Sequence, residues 1–131
     1  MNRPSLDQWL AEAKTDPAAP QCGMYLFHTG VVRSTPKAKV RGGEATDRVV
    51  RAVDFSYDEE KLTRAVNRAK AMPGIFCVRA WLNRGLLPVG SELMLVLVGG
   101  DIRPHVIDAL QSLVDDIKTS CVTEQEVYEE I

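Results

Sequence analysis

Three cations stand at the edges of stretches that read as rigid elements: Arg33 after a strand, Arg103 in the first turn of a helix, and Lys118 in its last. Guanidinium and ammonium groups fixed in this way suit an anionic small molecule, since each offers charge-assisted hydrogen bonds to carboxylate or phosphate oxygens. Lys118 has a second reading, because a cation in the last turn of a helix is favoured by the helix dipole. Arg103 lies where the same dipole disfavours a cation by roughly 0.3–1 kcal/mol, so it calls for an anionic ligand or a neighbouring Asp or Glu. Arg103 and Lys118 differ by 118 − 103 = 15 positions, which is roughly 22 Å of helix at about 1.5 Å per residue. They cannot meet within one chain. A site that uses both spans two subunits.

Other chemistry is missing from the sequence. There is no GxSxG, P-loop or GxGxxG. The two histidines, His28 and His105, have no metal-ligand spacing, and Cys22, Cys77 and Cys121 form no CxxC pair. Cys22 and Cys77 sit in apolar runs and read as core thiols. Cys121 follows a helix end, where the negative pole of the dipole raises a thiol's pKa. His28, beside a strand end, reads as a structural or interface histidine rather than a base. The loop RSTPKAKVRGG carries Arg33, Lys37, Lys39 and Arg41 without an aromatic residue, so it lacks the stacking platform of a single-strand nucleic-acid site. Lys37 to Gly43 read as a solvated loop, whereas Arg33 is tethered to the end of a strand, where binding residues often lie.

Glu92 to Lys118, ELMLVLVGGDIRPHVIDALQSLVDDIK, is the stretch that must position two of the three cations. Leu93 to Val98 is an unbroken apolar run, too short for a membrane span and suited to a strand buried on both faces. Gly99 and Gly100 predict a sharp turn. Asp101 is a good N-cap, and Pro104 fits the first turn of the helix that follows. Ile102, Val106, Ile107, Leu110, Leu113, Val114 and Ile117 give that helix one apolar stripe.

Around this unit the chain reads as α-β-β-α-β-β-α. Residues 1–20 are a short helix capped at Ser5, with a linker broken by two prolines. Cys22 to His28 is a strand that continues to Arg33 past a bulge at Gly30. Val49 to Phe55 is a second strand, expected to form a long hairpin with the first. Ser56 caps a helix from Tyr57 to Met72, and Ile75 to Trp81 is the third strand. Residues 119–131 read as an acidic tail with no Lys or Arg. The fold class is α+β, with helices against a mixed or antiparallel sheet in one domain spanning residues 1–131. A net charge of −2 argues against a protein held to nucleic acid by its overall field. No stretch resembles a signal peptide or a membrane span, and a reducing cytoplasm is the expected compartment.

Three features in order resemble the large, catalytic subunit of molybdopterin synthase, over Cys22 to Glu126. They are CGMYLFHTGVVR, with a Thr29-Gly30 step before Arg33; ELMLVLV, followed by a helix whose first turn holds Ile102-Arg103; and DDIKTS, ending the helix at Lys118. The resemblance implies an α/β-hammerhead fold and a homodimer, a heterotetramer once partners bind. Each copy would accept the Gly-Gly tail of a small ubiquitin-like sulfur carrier. A thiocarboxylate on that tail would supply sulfur to the cyclic pyranopterin monophosphate, so no nucleophilic cysteine and no cofactor is implied. Lys118 would be catalytic, and Arg33 and Arg103 would bind substrate.

Three places depart from the family. Its histidine falls on Ile102, which cannot hydrogen-bond through its side chain, and its second lysine falls on Gln125. The His-Arg step of the third-strand region is replaced by Leu82, Asn83 and Arg84. Two functions therefore stand open: a synthase subunit retaining Arg33, Arg103 and Lys118, and a non-catalytic dimeric relative that binds an anion or a ubiquitin-like tail.

Overall fold

Residues 93–98 carry no polar side chain, so a strand made from them is stable only with both faces covered. The fold supplies that cover. The computed structural model of the chain describes residues 3–37 and 48–129. In it, β5 (Glu92–Gly100) runs between β1 (Met24–Val31) and β3 (Ile75–Leu82), antiparallel to both. Leu95, Val96, Leu97 and Val98 are each 0% exposed. Two helices, α2 (Glu59–Lys70) and α3 (Arg103–Asp116), contribute Ala65, Ala69, Val106, Ala109 and Leu113 to the core that also holds Met94, Val96 and Val98. The first helix, α1 (Leu6–Ala13), is tied to β3 by an Arg79–Glu12 ion pair of 2.6 Å.

A second antiparallel sheet places β2 (Val50–Tyr57) between β4 (Gly85–Pro88) and β6 (Val122–Tyr128). The α+β class holds, with every strand pairing antiparallel. The expected β1–β2 hairpin does not form, because β1 pairs with β5 and β2 pairs with β4 and β6. A long connection imposes no register, so the partner is chosen by the surface to be covered. The acidic tail is also corrected. Residues 122–128 are a strand: Thr123 and Gln125 are exposed, while Glu124 and Glu126 are half-buried and taken up by the Lys37 ammonium and backbone N–H. Lys39 and Arg41 lie outside the described residues, and no described helix is long and apolar enough to cross a membrane.

Local chemistry explains the other shifts. Ser5 caps α1 as read, accepting from the Gln8 N–H at 3.2 Å. The cap of α2 is Asp58 rather than Ser56; its carboxylate accepts from the Lys61 N–H at 3.0 Å. Gly99 and Gly100 do not turn the chain: both belong to β5, and each is needed for close packing. A Cβ on Gly99 would lie 2.7 Å from the Tyr25 ring, and one on Gly100 would lie 2.6 Å from the Gly74 carbonyl oxygen. The N-cap of α3 is Ile102, with no side-chain cap. Asp101 instead accepts from the Ile102 N–H and from His105 Nδ1, each at 2.7 Å. The His105 bond, followed by the Ile102 N–H, holds the Asp101 carboxyl below its ordinary value.

Gly74 supports this corner with a φ of +77°, and a Cβ there would lie 2.2 Å from the Asp101 carboxylate. Gly74→Ala is therefore expected to cost about 1–3 kcal/mol of stability from backbone strain alone. Denaturant titration of the variant against wild type checks it.

Candidate functional site

Where α3 ends, the backbone does not stop but widens into a single π-turn, Ile117–Cys121, before entering β6. Ile117 and Cys121 point into the core at 0% and 3% exposure and fix the turn, while Lys118 between them is left at the surface. Turns of this kind occur often at functional sites, because the wider winding re-aims a side chain. Lys118 lines a cavity of about 170 Å³ whose walls come from both sheets. Arg33 reaches the same cavity from just past the end of β1, and so does Lys37. Leu93, Met94, Phe55 and Val122 supply its apolar surface.

The charges within the cavity are unequal in their freedom. Lys37 is ion-paired with Glu124 of β6, and its backbone N–H donates to the Glu126 carboxylate at 3.0 Å. Lys37 is thus docked on β6 rather than solvated with its loop. Among the described residues, no carboxylate pairs with Arg33 or Lys118. Two unneutralised cations facing one partly apolar cavity give it a positive field that no described side chain compensates, which is the electrostatic requirement for holding an anion. His28 also lines it, with a buried Nε2 that has no hydrogen-bond partner. Burial first, and the Lys118 ammonium second, push the His28 imidazole below its ordinary pKa and keep it neutral. The sequence reading passed over His28 as a site residue. Its signal was the period of the strand: residue 28 falls in the row of Met24 and Leu26, which pack on the core.

The remaining candidates lie elsewhere. Arg103 is exposed at the opposite end of the 14-residue α3 and does not reach the cavity. Beside it Ile102 is 52% exposed. One chain therefore brings Arg33 and Lys118 together and leaves Arg103 apart. Gln125 is exposed and lies on the other face of β6 from Val122 and Glu124, which line the cavity. Gln125→Lys is accordingly expected to leave sulfate affinity unchanged by calorimetry, whereas Arg33→Ala weakens it several-fold. The thiols do not enter this chemistry. Burial raises the pKa of Cys77, and burial followed by the Asp116 carboxylate raises that of Cys121, so both are held as neutral thiols.

Residues 3–120 match the MoaE protein family. The chain belongs to that family. This MoaE chain therefore has its place in molybdenum cofactor biosynthesis, among the catalytic large subunits of molybdopterin synthase. Solved structures share its fold at low identity. A MoaE protein from Burkholderia ambifaria MC40-6 is 18% identical with a TM-score of 0.71, covering 98% of this chain and 85% of its own. Molybdopterin synthase from Staphylococcus aureus is 17% identical with a TM-score of 0.68, covering 85% of this chain and 78% of its own. A complex of subunits 1 and 2 of the molybdopterin-converting factor from Helicobacter pylori 26695 contains a chain 17% identical, with a TM-score of 0.61, covering 96% and 85%. No curated protein matches this MoaE chain in sequence.

Proposed function

We propose that this MoaE chain is a working sulfur-transferring subunit whose site is the Arg33–Lys118 cavity, completed by Arg103 from a second copy. The observation that carries this reading is the pair of unneutralised cations in one cavity, separated by a whole helix from the third. The sulfur would arrive as a thiocarboxylate on the C-terminal Gly-Gly of a small ubiquitin-like partner, in keeping with the two-subunit complex of the Helicobacter pylori relative. The acceptor would be the cyclic pyranopterin monophosphate. Arg33 and Arg103 would hold its phosphate and the carboxyl end of the tail through paired N–H donors. Once the thiocarboxylate sulfur has bonded to an acceptor carbon, water would attack the acyl carbon of the resulting thioester. Lys118 would stabilise that oxyanion and exchange a proton with it. The acyl C–S bond would break, and the tail would leave as a carboxylate with the sulfur kept by the acceptor.

The second reading is a binding module without turnover. Ile102 favours it, because an exposed apolar side chain stands beside Arg103 where the family carries a histidine. A synthase assay with a thiocarboxylated small partner and the pterin precursor decides between the two. Dithiolene product is expected. Binding of both components without product would establish the module instead. The chain without its partner is expected to scatter light as a homodimer at micromolar concentration, and a monomer would remove Arg103 from the site.

A further inference from the structure

We propose that His28 is a third ligand-contacting residue of the Arg33–Lys118 cavity, and that an oxyanion entering the cavity binds together with a proton on its imidazole. This rests on the reading of the cavity as an anion site, and it adds a specificity that the two permanent cations do not provide.

The geometry starts with the strand. His28 lies opposite Val96 on β5, one pleat along from the Leu26–Val98 pair, so its ring is directed by the same alternation that buries its neighbours. Its Nε2 is buried and has no hydrogen-bond partner, although the ring borders a cavity that holds Arg33 and Lys118. Tyr25 and Trp81 also carry unpartnered buried polar atoms, but neither borders this cavity. A buried polar atom without a partner is disfavoured, and among these three only the histidine belongs to a ring that borders this cavity, where a small rotation of the ring brings Nε2 to a ligand.

The groups that face His28 are few. Lys118 comes from the π-turn, Arg33 and Lys37 from the connection after β1, and Glu124 from β6; Phe55, Leu93 and Met94 are apolar. Glu124 is taken up by Lys37. Lys118 therefore places a positive field on His28, and burial, the larger cause, acts with it to hold the ring neutral. An oxyanion seated between Arg33 and Lys118 reverses that field and offers an acceptor to Nε2–H. Both changes favour the imidazolium, and the proton comes from solvent. A tetrahedral oxyanion can offer separate oxygens to Arg33, Lys118 and Nε2–H, whereas a halide has one acceptor atom to share among them, so the residue favours oxyanions over simple halides.

Sulfate is the probe, because it does not titrate near neutral pH. Calorimetry near neutral pH in buffers of differing ionisation enthalpy should show net proton uptake on binding, and affinity should rise by up to about tenfold per pH unit on acidification. Histidine-resolved NMR should show the His28 pKa rising with sulfate while that of His105 stays in place. His28→Gln keeps a donor but cannot titrate. It should bind sulfate without proton uptake and lose the pH dependence, and Arg33→Ala should weaken binding at every pH. Unchanged proton uptake in His28→Gln, or a His28 pKa unmoved by sulfate that still depends on Arg33, would overturn this inference and leave the anion site standing. Sulfate binding that is absent, or indifferent to Arg33→Ala, would overturn both.

Discussion

Lys118→Ala is expected to remove sulfur transfer, by about 10²–10³-fold or more, while the protein folds as before. The large kinetic effect follows from the position of the ammonium. It lines the cavity and no described carboxylate neutralises it, so its charge is available to an oxyanion forming there. The small structural effect follows from the same facts. The π-turn is anchored by Ile117 and Cys121, both buried, and the Lys118 side chain makes no ion pair that its loss would leave open. Stability should change by no more than about 0.5 kcal/mol, the range of surface substitutions away from caps and networks. Single-turnover assays and denaturant melts of the variant separate the two effects. Lys14→Ala, on the C-cap of α1 and outside the cavity, is the matched control and should retain wild-type turnover. A Lys118→Ala enzyme with wild-type turnover would end the catalytic reading. The variant should also relieve His28 of the positive charge that depresses it, so the His28 pKa should move up towards its ordinary value.

The sequence was most informative where burial is symmetrical. The apolar run 93–98 could be stable only in the middle of a sheet, and β5 lies there. The α3 stripe was legible in part: Val106, Leu113 and Ile117 are buried as helical spacing predicts, but Ile102 and Ile107 are exposed, and Ala109, too small to mark a stripe, is fully buried. Strands with one wet face were harder to see. β6, with Thr123, Glu124, Gln125 and Glu126 in sequence, looks like a tail until β2 is present to pair with it. Losing β6 had a consequence for the site. Without a strand there was no alternation, so nothing indicated that Glu124 faces the cavity while Gln125 faces away. Arg33 and Lys118 could be picked out because each is a cation at the edge of a rigid element. Their convergence was not legible, since it depends on how two sheets meet and on a π-turn that no residue pattern announces.

Mixing two inactive variants should restore activity if the site is shared between copies. Arg103 and Lys118 sit at opposite ends of α3 and its terminal turn, roughly 22 Å apart along the helix at about 1.5 Å per residue. No rearrangement short of breaking α3 brings them together in one chain, because Val106, Ala109 and Leu113 lock the helix on the sheet. In a two-fold dimer each site would take Lys118 and Arg33 from one copy and Arg103 from the other, as an isologous interface requires. Arg103→Ala and Lys118→Ala homodimers should then both be inactive, since each lacks one cation at both sites. In a mixed dimer one site carries both defects and the other carries neither. Random pairing makes about half of all dimers mixed, so about a quarter of the sites should be intact and turnover should recover to that fraction of wild type. Differently tagged chains, co-expressed and assayed before and after isolation of the mixed species, measure it directly. If purified mixed dimers are as inactive as their parents, Arg103 and Lys118 do not serve one shared site. If Arg103→Ala alone turns over normally, Arg103 has no part in the site, and the cation at the head of α3 must serve another contact.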